Sequence, residues 1–216
     1  MKNQLWIMFI ALTICIGCGK SDPPLSINQT EVTLRYQEEF LFAIKNAVIV
    51  EWTSSDEFVG KIGSDGTFKA CHIGETTITG KSQGKTFTAH IVVEPTITGV
   101  AEPFLQFGKR KPDIKNFEMR QLADETPQTL FYTQPSTYTW GARYILEDNL
   151  LAKVDLLWNF SKIEESTIFY AERYELIGTS NNISYFTDRS GATVVQLTSD
   201  PSLGVTASYS QNRSTD

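Results

Sequence analysis

From Leu25 onward, apolar side chains recur at every second residue in short runs broken by turn residues. Val32, Leu34 and Tyr36 alternate with Thr33 and Arg35, and Phe40, Phe42 and Ile44 with Leu41 and Ala43. Val48, Val50 and Trp52 follow the same rule, as do Phe87, Ala89, Ile91 and Val93. A period of two sends successive side chains to opposite faces of a strand, so one face of each run is built for a core. The runs are parted by Gly, Asn, Ser and Asp rather than by helical stretches. Residues 25–94 therefore read as a small all-β sandwich and not as βαβ units.

Several separated motifs in that stretch carry a family resemblance. They are Val50-Glu51-Trp52-Thr53-Ser54-Ser55-Asp56, Val59 and Ile62, Asp65-Gly66-Thr67-Phe68-Lys69-Ala70, and Gly74-Glu75-Thr76-Thr77-Ile78. Together they resemble the bacterial Ig-like domain of group 2 type, with Cys71-His72 as a departure in the polar link that follows the Ala. The resemblance implies a sandwich used in bacterial surface proteins as a spacer or adhesion module, which is a context and not a chemistry. On physical grounds Trp52 is expected as the large core residue, and Asp65-Gly66 as a turn that tolerates positive φ.

The N-terminus reads as an address. Met1-Lys2-Asn3-Gln4 brings one positive charge, and Leu5–Ile16 is an uncharged, mostly apolar run. A helix over that run rises about 18 Å, too short for a hydrocarbon core of about 30 Å, which fits the apolar region of a secretory signal. The run ends at Ile16-Gly17-Cys18 and passes into Gly19-Lys20-Ser21-Asp22-Pro23-Pro24. This resembles the lipobox of bacterial lipoproteins, with Cys15 standing where that family usually has Leu. The resemblance implies a signal peptide over 1–17, lipidation of Cys18, a tether over 18–24, and a cell-envelope protein held by its lipid, with the outer membrane as the expected site. Cleavage there would leave Cys71 as the one remaining thiol, so stability must come from packing without an intramolecular disulfide.

A proline-bracketed stretch over 95–103 reads as a linker, and the pattern changes beyond it. Pro112-Asp113 can open a helix that uses Ile114, Phe117 and Leu122. Leu130-Phe131-Tyr132 reads as a strand. Tyr138, Trp140, Ala142, Tyr144 and Leu146 share one face of the next, and Ala152, Val154, Leu156 and Trp158 one face of the strand after the turn at Glu147-Asp148-Asn149. Ile163, Tyr170, Tyr174 and Ile177 fall at helical spacing, which predicts a helix over Ser161–Ile177. Ile183–Thr187, Val194–Thr198, the turn Asp200-Pro201-Ser202, and Val205, Ala207 and Tyr209 then repeat the earlier order. Phe131 aligns with Tyr185 and Trp158 with Tyr209, suggesting repeats over 104–160 and 161–210. The fold class expected for the chain is thus an all-β Ig-like sandwich followed by an α+β domain over 104–216, helices on one antiparallel sheet.

Little in the chain suits catalysis. With 19 basic against 25 acidic residues the net charge is −6, which argues against a nucleic-acid partner. The two histidines, His72 and His90, both precede the second domain and stand at no metal-ligand spacing, so neither a metal nor another cofactor is expected. No Gly-x-Ser-x-Gly elbow, phosphate loop or calcium loop is present. Glu164 and Glu165 are adjacent and point about 100° apart on a helix, fitting the N-terminal end of the dipole better than a paired acid and base. Lys109-Arg110-Lys111 reads as a solvated loop.

The remaining signal is aromatic. Tyr and Trp left on the open face of a sheet would make a binding surface for protein or glycan, and Tyr138, Trp140 and Tyr144 are the candidates. Should that side pack inward, the opposite side with Thr139, Arg143 and Ile145 takes their place. The sequence thus points to a non-enzymatic lipoprotein acting as a binding or scaffolding module, joined to the membrane through Cys18. An inhibitor or accessory protein that holds an enzyme through its second domain is the alternative, with an envelope hydrolase behind both.

Overall fold

The computed structural model describes residues 23–200 and 204–212. The signal peptide over 1–17, Cys18 with the tether up to Asp22, and the turn residues Pro201 and Ser202 lie outside the described residues.

The period-two runs of the first domain become β1 (Ser26–Ile27), β2 (Glu31–Arg35), β3 (Glu39–Leu41), β4 (Ile44–Lys45), β5 (Glu51–Ser54), β6 (Gly60–Ile62), β7 (Thr67–Ala70), β8 (Gly74–Ser82) and β9 (Lys85–Glu94). One sheet has the order β2-β9-β8-β5, with β2 parallel to β9; a second has the order β3-β7-β6; β1 and β4 form a two-stranded pair. Leu34, Phe42, Val59, Phe68, Ile78, Ala89, Ile91 and Val93 interlock as one core. Trp52 is not the centre of that core. It lies on the edge strand β5, only partly buried, with its ring over Gly80, where a Cβ would stand 2.5 Å from Cζ3. Phe42, just past β3, and Phe68, on the central strand β7 of the second sheet, fill the interior instead. The Asp65-Gly66 turn has Gly66 at φ +87°, and the Asp65 carboxylate accepts the Thr67 N–H at 3.0 Å.

The second domain contains α1 (Lys111–Phe117), β10 (Gln121–Glu125), β11 (Thr129–Thr133), β12 (Thr139–Glu147), β13 (Leu150–Trp158), α2 (Ile163–Ala171), β14 (Glu175–Ser180), β15 (Ile183–Thr187), β16 (Thr193–Asp200) and β17 (Gly204–Gln211). The strands form one antiparallel sheet in the order β10-β11-β12-β13-β17-β16-β15-β14. This corrects the α+β expectation: the domain is dominated by an eight-stranded sheet, and its two helices have only seven and nine residues. Both expected helices stop early. The chain past Phe117 enters β10 and the chain past Ala171 soon enters β14, the two edge strands of the sheet. Every residue of both edge strands is exposed, so neither carries the alternation by which a strand is read from sequence.

The order α1-β10-β11-β12-β13 recurs as α2-β14-β15-β16-β17, each half a helix followed by a four-stranded meander. Even the irregularities match: the register slips between Leu122 and Asp124 in β10 and between Leu176 and Gly178 in β14. Phe131 and Tyr185 occupy equivalent places. Tyr209, however, corresponds to Leu156 and not to Trp158. Leu156 lies opposite Ala142, which faces Tyr132, just as Tyr209 lies opposite Val195, which faces Phe186.

One face of the sheet packs on the helices. Leu130, Tyr144, Val154, Leu156, Trp158, Phe186, Ala207 and Tyr209 meet Ile114 of α1 and Phe169 and Tyr170 of α2. The segment over 95–103 is docked across this same face. The N–H groups of Thr96 and Ile97 donate to the Glu172 carboxylate at 2.7 and 3.2 Å, and Arg173 donates to the Ile97 carbonyl at 3.1 Å. Arg120 donates to the Ala101 carbonyl, Tyr174 to Glu102 at 3.0 Å, and Tyr144 accepts the Phe104 N–H at 3.0 Å. With Ile97 and Phe104 buried, this strap touches residues from both halves and completes the core.

Candidate functional site

Antiparallel sheets often keep one face for water, and here the face away from the helices is open. Along its centre runs a rung that crosses six strands: Phe131, Arg143, Asp155, Ser208, Gln196 and Tyr185, each opposite the next. Asp155 Oδ2 accepts from Arg143 Nε at 3.0 Å and Nη2 at 2.6 Å. Its Oδ1 accepts from Ser208 Oγ at 2.6 Å and lies 3.3 Å from Lys153 Nζ. The carboxylate is 1% exposed while the Arg143 and Lys153 side chains are 50% and 45% exposed, so the cations roof the anion and present their remaining donors to solvent.

The structure separates the three aromatic candidates. Tyr144 is fully buried; its hydroxyl donates to Glu118 at 2.6 Å, beneath the strap. Tyr138 is partly buried against the same core, its ring 6.3 Å from that of Trp158. These two belong to the helix-covered face. Trp140 is 40% exposed and on the open face, edge-on to Phe131 with ring centroids 5.8 Å apart. The cause is a β-bulge: Thr139 pairs with Trp158 and Gly141 with Leu157, leaving Trp140 as the extra residue and reversing its side. The same bulge turns Thr139 inward, where it is buried, whereas Arg143 and Ile145 keep to the open side. Asp155 and Lys153 were missed in the sequence. The available signal is a lysine and a carboxylate two residues apart in the middle of the otherwise apolar strand Leu150–Trp158.

Beneath the helices, burial shifts several titratable groups of the core. Burial pushes the Glu102 carboxyl up, with the Tyr174 hydrogen bond and Arg173 opposing. Burial likewise raises the hydroxyls of Tyr144, Tyr170, Tyr174 and Tyr209 well above their usual range. Tyr170 and Tyr209 share a hydrogen bond of 2.7 Å, and Trp158 Nε1 donates to Tyr170 at 3.4 Å. These contacts knit the core together.

A concavity of about 330 Å³ lies between the domains and is lined by Tyr36, Cys71, His72, Tyr174 and Leu176 among others. His72 is occupied there: Nδ1 is 2.6 Å from the Phe58 carbonyl and the ring stacks on Phe58 at 3.9 Å. Arg189 bridges to Asp56 at 2.6 Å beside it. His90 is on the surface, 3.2 Å from Glu75. Among the described residues no group of three His, Cys, Asp or Glu side chains could hold a metal ion, and no helix is long and apolar enough to cross a membrane.

No family model and no curated protein matches the chain. Among solved structures, domains 4-9 of the surface layer protein SbsC align at 12% identity and a TM-score of 0.30, over 91% of this chain and 28% of that one. Domains 5-6 of the same S-layer protein align at 12% identity and a TM-score of 0.29, over 90% of this chain and 86% of that one.

Proposed function

We propose that the chain is a lipid-anchored protein of the bacterial cell envelope that works by binding, with the open face of its second sheet as the contact surface and its Ig-like first domain as a spacer. The observation that carries this reading is the asymmetry of the eight-stranded sheet. One face is closed by two helices and the strap, while the other exposes Trp140, Arg143 and Lys153 around a fixed centre. Such a surface has rigid aromatic and guanidinium contacts held in place before a partner arrives, which lowers the entropic cost of association. The anchor rests on the lipobox-like end of the apolar run at Cys18.

Two readouts test the proposal. Metabolic labelling with a fatty acid should mark the wild type and not Cys18→Ala; equal label in both removes the anchor. Purified chain should cosediment with delipidated envelope fragments, where the lipid on Cys18 has nothing to enter, and Trp140→Ala should not. Cosedimentation that is indifferent to Trp140 and to Tyr185→Ala removes the open face as the contact surface.

A further inference from the structure

We propose that the open face binds a linear glycan and favours one whose sugars carry carboxylates. The inference rests on the reading of that face as the binding surface and names the chemistry of its partner.

The shape of the surface is the first argument. The rung from Phe131 to Tyr185 crosses six adjacent strands, and at about 4.8 Å per strand it extends for roughly 24 Å. It is a track on an exposed sheet face, suited to a polymer laid along it, whereas a small metabolite needs a concave pocket that buries most of its surface. An extended chain of several sugar units matches this length.

Surface chemistry separates glycan from protein. A protein interface is organised around a desolvated apolar and aromatic centre with a polar rim. Here the order is reversed. The centre of the rung is Arg143, Asp155, Ser208 and Gln196, and the aromatics stand at its ends: Phe131 with Trp140 on one side, Tyr185 on the other. Sugar rings present C–H groups on their faces and hydroxyls around their edges. Aromatic rings cover the former, and planar polar side chains bond the latter.

Charge then selects among glycans. Both oxygens of Asp155 are engaged by Arg143, Ser208 and Lys153, and the group is 1% exposed, so it has nothing to offer a ligand. The charged groups that reach solvent from the centre are the guanidinium of Arg143 and the ammonium of Lys153, which only donate, beside the neutral amide of Gln196. The buried carboxylate fixes the guanidinium and leaves its outer edge free. In a chain of net charge −6, this is a cationic site built into the sheet, and a carboxylate on a sugar is its complement.

The test is calorimetric titration of the full-length chain in detergent with a matched pair of ligands: a β-1,4-linked mannuronate oligomer and the β-1,4-linked mannose oligomer of equal length, which differ in the carboxylate at C6. The mannuronate should bind, should weaken as salt rises, and should exceed the neutral oligomer by at least about tenfold. Trp140→Ala, an exposed position, should lose about tenfold with an unchanged circular-dichroism spectrum. Arg143→Lys, which keeps a cation over Asp155, should lose the preference for mannuronate before it loses binding. Equal affinity for the two oligomers overturns the acidic preference. No binding of either, or of uronate chains of other linkage, overturns the glycan assignment. In that case Trp140-dependent cosedimentation with envelope protein would leave the binding face standing, with a protein as its partner.

Discussion

Asp155 and Ser208 stand opposite one another where β13 meets β17, and the Ser208 hydroxyl donates to Asp155 Oδ1 at 2.6 Å. The pair lies where the two halves of the eight-stranded sheet join. To one side Val154 faces Tyr209, and to the other Leu156 faces Ala207. Val154 and Ala207 hold equivalent places in their halves, as do Leu156 and Tyr209, so the pair sits on the local twofold that relates them. The two halves differ at this seam: one brings a carboxylate with its cations, the other a hydroxyl that satisfies it.

Ser208→Ala should therefore lower stability by about 1.5–3 kcal/mol, the range for a hydrogen bond to a charged group. Asp155→Ala should cost no more than about 3 kcal/mol, because Arg143 and Lys153 are half exposed and regain water when the carboxylate is removed. Urea midpoints at constant slope measure both. An unmoved midpoint in Ser208→Ala would show that the seam does not depend on this bond.

The buried Glu102 sets a pH dependence. Its pKa is raised in the folded chain, chiefly by burial, so the unfolded chain loses this proton first as pH climbs. The folded state then holds more protons than the unfolded one, and stability falls with rising pH between the usual carboxyl value and the raised one. Glu102→Gln should remove that fall while keeping a partner for the Tyr174 hydroxyl. Identical stability–pH curves for wild type and variant between pH 4 and 8 would contradict this.

At the alkaline end the sign is the same. Tyr144, Tyr170, Tyr174 and Tyr209 are each raised from 10.0, with burial as the leading cause in all four. Their stabilisation is fully present below pH 10 and is lost as pH rises through the folded values. Phenolate absorbance should thus appear for these four only together with loss of β structure. Smooth titration near pH 10 with the fold intact would place them in water.

The alternation between Leu25 and Glu94 made the first domain legible as strands, because each buries one face. Sequence pattern failed where that condition lapses. The edge strands β10 and β14 bury neither face, so Leu122, Ile177 and their neighbours read as continuations of the helices before them. The bulge at Trp140 inserts one residue and breaks a count by twos, which is why three aromatics at even spacing came to lie on two faces. The prolines of the strap mark a linker, and the partners that bury it, Arg120, Tyr144, Glu172 and Arg173, are remote in sequence.

For the first domain, a fragment over 25–94 should fold alone, since Phe42, Phe68, Ile78 and Ile91 close on each other. Phe68→Ala should cost about 3–5 kcal/mol and unfold the fragment, whereas Trp52→Ala, on an edge strand and partly buried, should cost less and leave it folded. Circular dichroism of the two fragments decides the order, and a larger loss from Trp52→Ala would return that residue to the centre of the core.

Glu172 ties three parts of the chain together. It follows α2 in the second domain, its carbonyl accepts the Ile73 N–H from the first at 2.8 Å, and its carboxylate accepts Thr96 and Ile97 from the strap between them. The side chain is 0% exposed and its cation Arg173 15%, so removing the carboxylate takes the counter-charge from a largely covered cation and the acceptor from the Thr96 and Ile97 N–H groups. Glu172→Ala should cost about 3–5 kcal/mol, and the loss should fall on the second domain and its coupling to the first. Wild type should melt in one transition because the strap belongs to both the junction and the core. The variant should melt in two, the first domain keeping its own midpoint near that of the isolated fragment. A single, uniformly lowered transition in Glu172→Ala would show that the domains are coupled by contacts other than this clasp, with the Asp56–Arg189 ion pair as the next to remove.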